Sequence, residues 1–244
     1  MEEREIDMKI SAVATYKLLK AGDLPDKAVI VVNGLRSNAV IITALANGSD
    51  RVVAVDKIED AIAIRKQFSD ISVLCGAYDK DNPDGYEMGN SPQEYTGDSV
   101  RDKLIIHCST NGSKAINACA EGEHVYIGSI VNATAVAKAA LETQRDIYIV
   151  CSGLDGDLSL EDMFAAGCVA ERLLEKIPNA IIDDTVQLMI KLYLEFKSKP
   201  LELLRGLKTF DGLIENGWES DIKYCLSEDL VPVVPEFSEG TITL

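Results

Sequence analysis

Apolar and polar positions along the first 150 residues follow two alternating rhythms. Short, β-branched apolar runs recur at 28–32 (AVIVV), 51–55 (RVVAV), 72–75 (SVLC), 103–108 (KLIIHC), 124–128 (HVYIG) and 146–151 (DIYIVC). A strand with one wet face alternates apolar and polar residues; continuous runs predict strands covered on both faces. Between most of them lie helix-compatible stretches at 38–47, 59–68, 113–120 and 132–143, with Gly48 placed to terminate the first. Repeated strand–helix–strand units predict an α/β fold, a mostly parallel sheet with flanking helices. Right-handed crossovers would then set the loops after the strand C-termini along one edge of the sheet, where open α/β sheets bind ligands.

The segment 76–102 breaks this rhythm: it is polar, long and without a helix or strand period. Connections of that length inside a compact fold are functional or disordered. From 159 the pattern turns helical, with SLEDMFAAGCVAERLLEKI, DDTVQLMIKLYLEFKSK and LELLRGLK in succession. Ser159 and Asp162 have the spacing of an N-terminal capping box, with Asp in place of Glu or Gln. Two β-like pieces, VPVVPEF and GTITL, close the chain around a turn at 238–240. A single domain over 1–244 is the simpler reading, and a helical subdomain from about 160 to 225 the alternative.

Charge narrows the function. The chain carries 40 Asp+Glu against 24 Lys+Arg, a net charge of −16, with no basic run. Nucleic-acid phosphates and anionic membranes need clustered Lys and Arg, so neither partner is expected. No apolar run approaches the roughly 20 residues of a membrane span, and the charged opening MEEREIDMKI has no secretory core. The six cysteines form no C-x-x-C pair and most sit in apolar segments, as small buried residues of a reducing compartment do. The expectation is a cytoplasmic protein, with a homo-oligomer common among compact enzymes of this size.

Three turns after apolar runs carry candidate chemistry. Asn33-Gly34-Leu35-Arg36-Ser37-Asn38 leads into a helix whose free amides, with the Arg36 guanidinium, would suit an anion; it also reads as a capped junction with Ser37 as N-cap. Ser109-Thr110-Asn111-Gly112-Ser113 repeats that hydroxyl- and glycine-rich pattern with the same two readings. The third, from Cys151-Ser152-Gly153 to Glu161-Asp162, groups four carboxylates at a strand end. Such oxygen ligands suit Mg²⁺, while acidic residues in a first helical turn also complement the helix dipole. The acidic stretch from Asp79 fails the EF-hand spacing at Pro83, Asp84 and Asn90. His107 and His124 lie in or at the start of apolar runs and read as buried or strand-edge side chains.

Taken together, several segments resemble one family. Gly89-Asn90-Ser91-Pro92, Thr110-Asn111-Gly112-Ser113, Asn132 after Gly128-Ser129, and Gly153 through Ser159-Leu160-Glu161-Asp162 with Ala166-Gly167 occur in the order and spacing of the 2-phosphosulfolactate phosphatase family. Asp221-Ile222, Val234-Pro235 and Gly240 extend the match, which spans about 28 to 242. The resemblance implies a family-specific α/β fold and a Mg²⁺-dependent hydrolase of a small anionic phosphate ester, in a route toward coenzyme M. Carried over residue by residue, it implies Arg36, Asn90, Ser91, Thr110, Asn111, Asn132, Glu161 and Asp162 at or near the site.

The combined expectation places Asn33, Arg36, Glu161 and Asp162 in catalysis, the two acids as metal ligands. Ser37, Asn38, Gly112, Ser113, Ser152 and Gly153 join the substrate-binding set. The chain also departs from the family. Asn33 stands where the family has Asp, Asn38 where it has Thr, and Gly76-Ala77-Tyr78 where it has Gly-Glu-Arg. Two functions follow: a phosphoric-monoester hydrolase, or a non-catalytic paralogue that kept the fold and binds a small anion.

Overall fold

A computed structural model describes residues 8–76 and 85–244. Ala77 and Tyr78, two of the departures, lie outside the described residues. The continuous apolar runs form strands β2 (Ala28–Val32), β3 (Arg51–Val55), β4 (Ser72–Gly76), β5 (Leu104–Cys108), β6 (His124–Gly128) and β7 (Ile147–Cys151). Every residue of β2, β4 and β5 is buried, as two-sided cover requires. The intervening helices α1 (Ser37–Ala46), α2 (Ile58–Gln67), α4 (Gly112–Ala118) and α5 (Ala133–Glu142) follow the expected stretches, and a one-turn α3 (Gly97–Val100) lies in the long polar connection. Helix α1 begins at Ser37, so Arg36 and not Ser37 is its N-cap residue.

Strand β1 (Lys9–Val13) was not foreseen. It pairs parallel with β7, and the two-residue β8 (Ile181–Ile182) pairs with β1. The chain end forms the hairpin β9 (Glu236–Ser238) and β10 (Thr241–Thr243). The sheet order is β4-β5-β3-β10-β9-β6-β2-β7-β1-β8. The hairpin therefore sits inside the sheet, between two parallel groups, and makes antiparallel contacts with β3 and β6. Three antiparallel steps set the two groups in opposite senses, in place of the expected row of C-termini along one edge. A sheet this wide twists and coils, and the loops after β2 and β5 still meet at one cavity.

The helices cover both faces. One core packs α1 and α4 against Val29, Val31, Ile105 and Ile127; the other packs α5, α6 (Leu160–Lys176) and α7 (Asp184–Phe196) against Ile10, Ile30, Val32 and Ile149. Successive β2 residues thus feed opposite cores, which is the period-2 geometry of a strand. The last helical stretch breaks into α8 (Pro200–Leu204), α9 (Lys208–Glu215) and α10 (Glu219–Cys225). Gly206, at φ +81°, supplies the left-handed residue that divides α8 from α9. Helix α6 opens with Ser159 as N-cap, its Oγ accepting from Asp162 N at 3.2 Å. The expected box is half formed, because the Asp162 carboxylate is used elsewhere.

Candidate functional site

A cavity of about 810 Å³ opens where the loops after β2 and β5 face α9. The β2–α1 turn forms its floor through Asn33, Leu35, Arg36 and Ser37. The first intrahelical bond of α1 runs from Val40 N to Arg36 O. The amides of Ser37, Asn38 and Ala39 precede it, so this end of α1 presents N–H donors and the positive end of the helix dipole.

Arg36 is the fixed cation of the site. It is 7% exposed, and its Nη1 donates to Asp221 Oδ2 at 2.6 Å. Its guanidinium carbon lies 4.2 Å from the ring centre of Trp218, a cation–π stack on the only tryptophan of the chain. Asp221 Oδ1 accepts from Ser91 Oγ at 2.6 Å and Gln93 Nε2 at 3.0 Å. One buried carboxylate on α10 thereby locks Arg36 and the 90s loop together. The Nε and Nη2 donors of Arg36 have no partner among the described residues and remain for a ligand.

The β5–α4 turn supplies the second wall with Ser109, Thr110, Asn111 and Gly112. Ser109 Oγ accepts from Ser113 N at 3.0 Å, tightening the turn. Asn111 Oδ1 accepts from Asp155 N at 3.1 Å, tying this wall to the loop after β7. Asn90 enters from the 90s loop, with its Oδ1 3.1 Å from His107 Nε2. The outer wall comes from α9 and its exit: Lys208, Thr209, Asp211 and Trp218. Three carboxylates, Asp155, Asp211 and Glu215, line the cavity beside the two cations Arg36 and Lys208, so its affinity for a small oxyanion rests on the local cluster of Arg36, the hydroxyls and amides of the two turns, and the N-terminus of α1.

Behind the floor, Asp162 holds the β2 and β7 loops together. Its Oδ1 accepts from Gly34 N at 2.7 Å and Asn33 Nδ2 at 3.3 Å, and its Oδ2 accepts from Gly153 N at 2.8 Å. Complete burial, with the neighbouring Glu161 charge, pushes its carboxyl up to about 7, against the amide hydrogen bonds from Gly34 and Gly153 that favour the charged form. A side chain at position 34 has no room: a Cβ there would lie 2.4 Å from the Glu161 carbonyl oxygen.

The expected site residues divide clearly. Asn33, Arg36, Ser37, Asn90, Thr110, Asn111 and Gly112 line the cavity. Asn38 and Asn132 do not; both work on backbone. Asn38 Nδ2 donates to Val31 O and Gly128 O, each at 2.9 Å, joining β2 to β6. Asn132 Oδ1 accepts from Ser129 N, and its Nδ2 donates to Ile127 O and Val233 O. Ser91 is bound to Asp221, Ser113 to Ser109 and His107 O, and Ser152 to Val32 O. Gly153 serves through its amide on Asp162. These residues build the site from behind without facing a ligand.

Sequence reasoning missed Lys208, Thr209 and Trp218, and gave Asp221 no role. They come from a helical segment some 50 residues beyond the last strand-end motif, with no spacing to link them to it. The one available signal was the solitary Trp218 three residues before an acid in a polar stretch.

Mg²⁺ takes one or two carboxylates and keeps waters or phosphate oxygens as its other ligands. Among the described residues no three His, Cys, Asp or Glu converge as a metal cluster. A sparser set does exist beside the Asp162 clamp. Asn33 Oδ1 is buried with no hydrogen-bond partner. Glu161, 8% exposed, makes no hydrogen bond or ion pair among the described residues. Asn33 lines the cavity and Glu161 does not; both are oxygen donors of the kind Mg²⁺ takes. Asp162, with three donors on its two oxygens, fits the clamp role better than the ligand role its sequence position suggested.

Comparison with known proteins agrees with the motif order. A family model described as 2-phosphosulpholactate phosphatase matches residues 13–240. Proteins named probable 2-phosphosulfolactate phosphatase are similar along nearly their whole length. The one from Caldanaerobacter subterraneus subsp. tengcongensis is 33% identical over 96% of this chain and 98% of its own. The one from Clostridium novyi is 34% identical over 97% and 100%, and that from Clostridium acetobutylicum 31% over 96% and 100%. With the match running from the end of β1 to the turn between β9 and β10, the chain belongs to the 2-phosphosulfolactate phosphatase family.

Proposed function

We propose that the cavity is the active site of a phosphoric-monoester hydrolase whose substrate is 2-phospho-3-sulfolactate or a closely related phospho-acid, in a route toward coenzyme M. The observation that carries this reading is Arg36: buried, stacked on Trp218, fixed by Asp221, and holding free donors at the N-terminus of α1. A phosphate monoester would place its oxygens against Arg36 Nε and Nη2, the first α1 amides, and the Ser37 and Thr110 hydroxyls. Lys208 across the cavity gives a second positive point for the other acidic groups of the substrate.

These donors are oriented before the substrate arrives, by Asp221 for Arg36, Asp162 for the Asn33–Gly34 turn and Ser113 for Ser109. Pre-oriented donors stabilise the charge that develops on a transferring phosphoryl group without reorganisation, the largest single contribution in many active sites. Bound Mg²⁺, held through Glu161 and Asn33 Oδ1, would supply charge neutralisation on the phosphoryl oxygens. The six buried free thiols support a reducing, cytoplasmic setting.

Asn33 favours a second reading, an anion-binding protein without turnover. Its Nδ2 fills one Asp162 acceptor site, and an amide is a neutral and weaker metal ligand than the family's carboxylate. Phosphate release from a panel of small phosphate esters, with Mg²⁺ and with chelator, separates the two. Mg²⁺-dependent release supports the hydrolase; tight ester binding without release on any substrate supports the alternative.

A further inference from the structure

His107 is the penultimate residue of β5, completely buried, outside every motif that links the chain to its family. Its Nε2 is 3.1 Å from Asn90 Oδ1, and its Nδ1 is buried without a partner. A carbonyl oxygen only accepts, so Nε2 must carry the proton. A neutral ring then leaves Nδ1 as a bare acceptor, which agrees with its lack of a partner. The neighbours of His107 across the sheet, Ala54 and Cys75, are uncharged, and burial holds the imidazole neutral down to about 4.

The consequence falls on Asn90. An amide has an accepting end and a donating end. With Oδ1 held by His107, the NH₂ end is directed away from the core. Asn90 lines the cavity, and its Nδ2 has no partner among the described residues. We propose that His107 is a positioning residue that fixes the Asn90 amide with its donor end toward the bound anion. Released from His107, Asn90 could turn its Oδ1 to the cavity and repel the same oxyanion. A neutral imidazole performs this task without adding a charge, so the donor does not change across the working pH range.

This inference rests on the cavity being the anion site, and the test separates the two. Inorganic phosphate is titrated into the protein, with Trp218 fluorescence and calorimetry as readouts. Loss of a hydrogen bond to a charged ligand is expected to weaken phosphate binding about tenfold in Asn90→Ala. His107→Asn, whose amide stops short of Asn90, should weaken it similarly. His107→Gln, whose amide nitrogen reaches the Nε2 position, should restore near wild-type affinity. Adding His107→Asn to Asn90→Ala should cost nothing further. The inference is overturned if His107→Asn binds phosphate as wild type does, if Gln fails where Asn fails, or if His107→Asn weakens binding equally in the Asn90→Ala background. A wild-type protein that binds no phosphate overturns the site reading itself. Melting curves for each variant identify any that fail to fold, and the Gln and Asn pair, alike in polarity and lack of charge, then decides the matter.

Discussion

Arg36 Nη1 and Asp221 Oδ2 meet at 2.6 Å across 185 residues of sequence, both almost wholly buried. The pair joins the first strand–helix turn of the cavity to the last helix of the chain. Breaking a buried ion pair by removing one partner leaves an uncompensated charge, at a cost of about 3–5 kcal/mol. Asp221→Ala should therefore lose about that much stability in urea titration. Asp221→Asn, which keeps the shape and an accepting oxygen for Ser91 or Gln93, should lose less. Equal stability of Asp221→Ala and wild type would show that the pair is not a structural tie.

Replacing Arg36 by Lys keeps the charge and removes the planar fork. Lysine cannot hold Asp221, stack on Trp218 and present two further donors at once. Binding of inorganic phosphate should weaken by at least about tenfold, with a change in Trp218 emission as the ring loses its cation. Unchanged affinity would reduce Arg36 to a point charge.

Gly34→Ala probes the crowded back of the site. The new Cβ would lie 2.4 Å from the Glu161 carbonyl oxygen and 2.7 Å from its carbonyl carbon. Both atoms are backbone, so either the turn or the start of α6 must move. Loss of about 2 kcal/mol or more in stability is expected, together with loss of activity as Gly34 N leaves Asp162. Thermal melting and turnover measured on the same sample check both parts.

His107 gives a pH dependence of known sign. In the unfolded chain its imidazole takes a proton near 6.5, and in the folded protein only near 4. Between those values the unfolded state binds more protons, so stability falls as pH falls through that window. The loss relative to His107→Gln should be on the order of 3 kcal/mol by pH 4. Comparing the two proteins cancels the contribution of Asp162, whose raised carboxyl acts in the opposite direction. Parallel stability curves from pH 7 to 4 would contradict the buried neutral ring.

Much of the fold was legible because β2, β4 and β5 write their two-sided burial as unbroken apolar runs. Lys9–Val13 was not read as a strand. Its KISAV has a charge at one end, and what places it is pairing with β7, a partner far along the chain. The interior position of the β9–β10 hairpin was hidden for the same reason: three-residue strands carry no register information, and only tertiary packing seats them between β3 and β6. At the site, strand-end turns revealed Arg36, Thr110 and Asn111. They could not separate a side chain facing ligand from one facing backbone. Asn38 and Asn132 look like ligand contacts by residue type, yet spend their amides on backbone carbonyls. Trp218 and Lys208 reach the cavity through the path of the helical segment, which no local pattern records.

The most direct test follows inorganic phosphate released from 2-phospho-3-sulfolactate by wild-type protein and by Arg36→Ala, side by side with Mg²⁺ present. The account expects steady release by the wild type and a fall of at least about 100-fold in the variant. No release by the wild type, or equal release by both proteins, would contradict it.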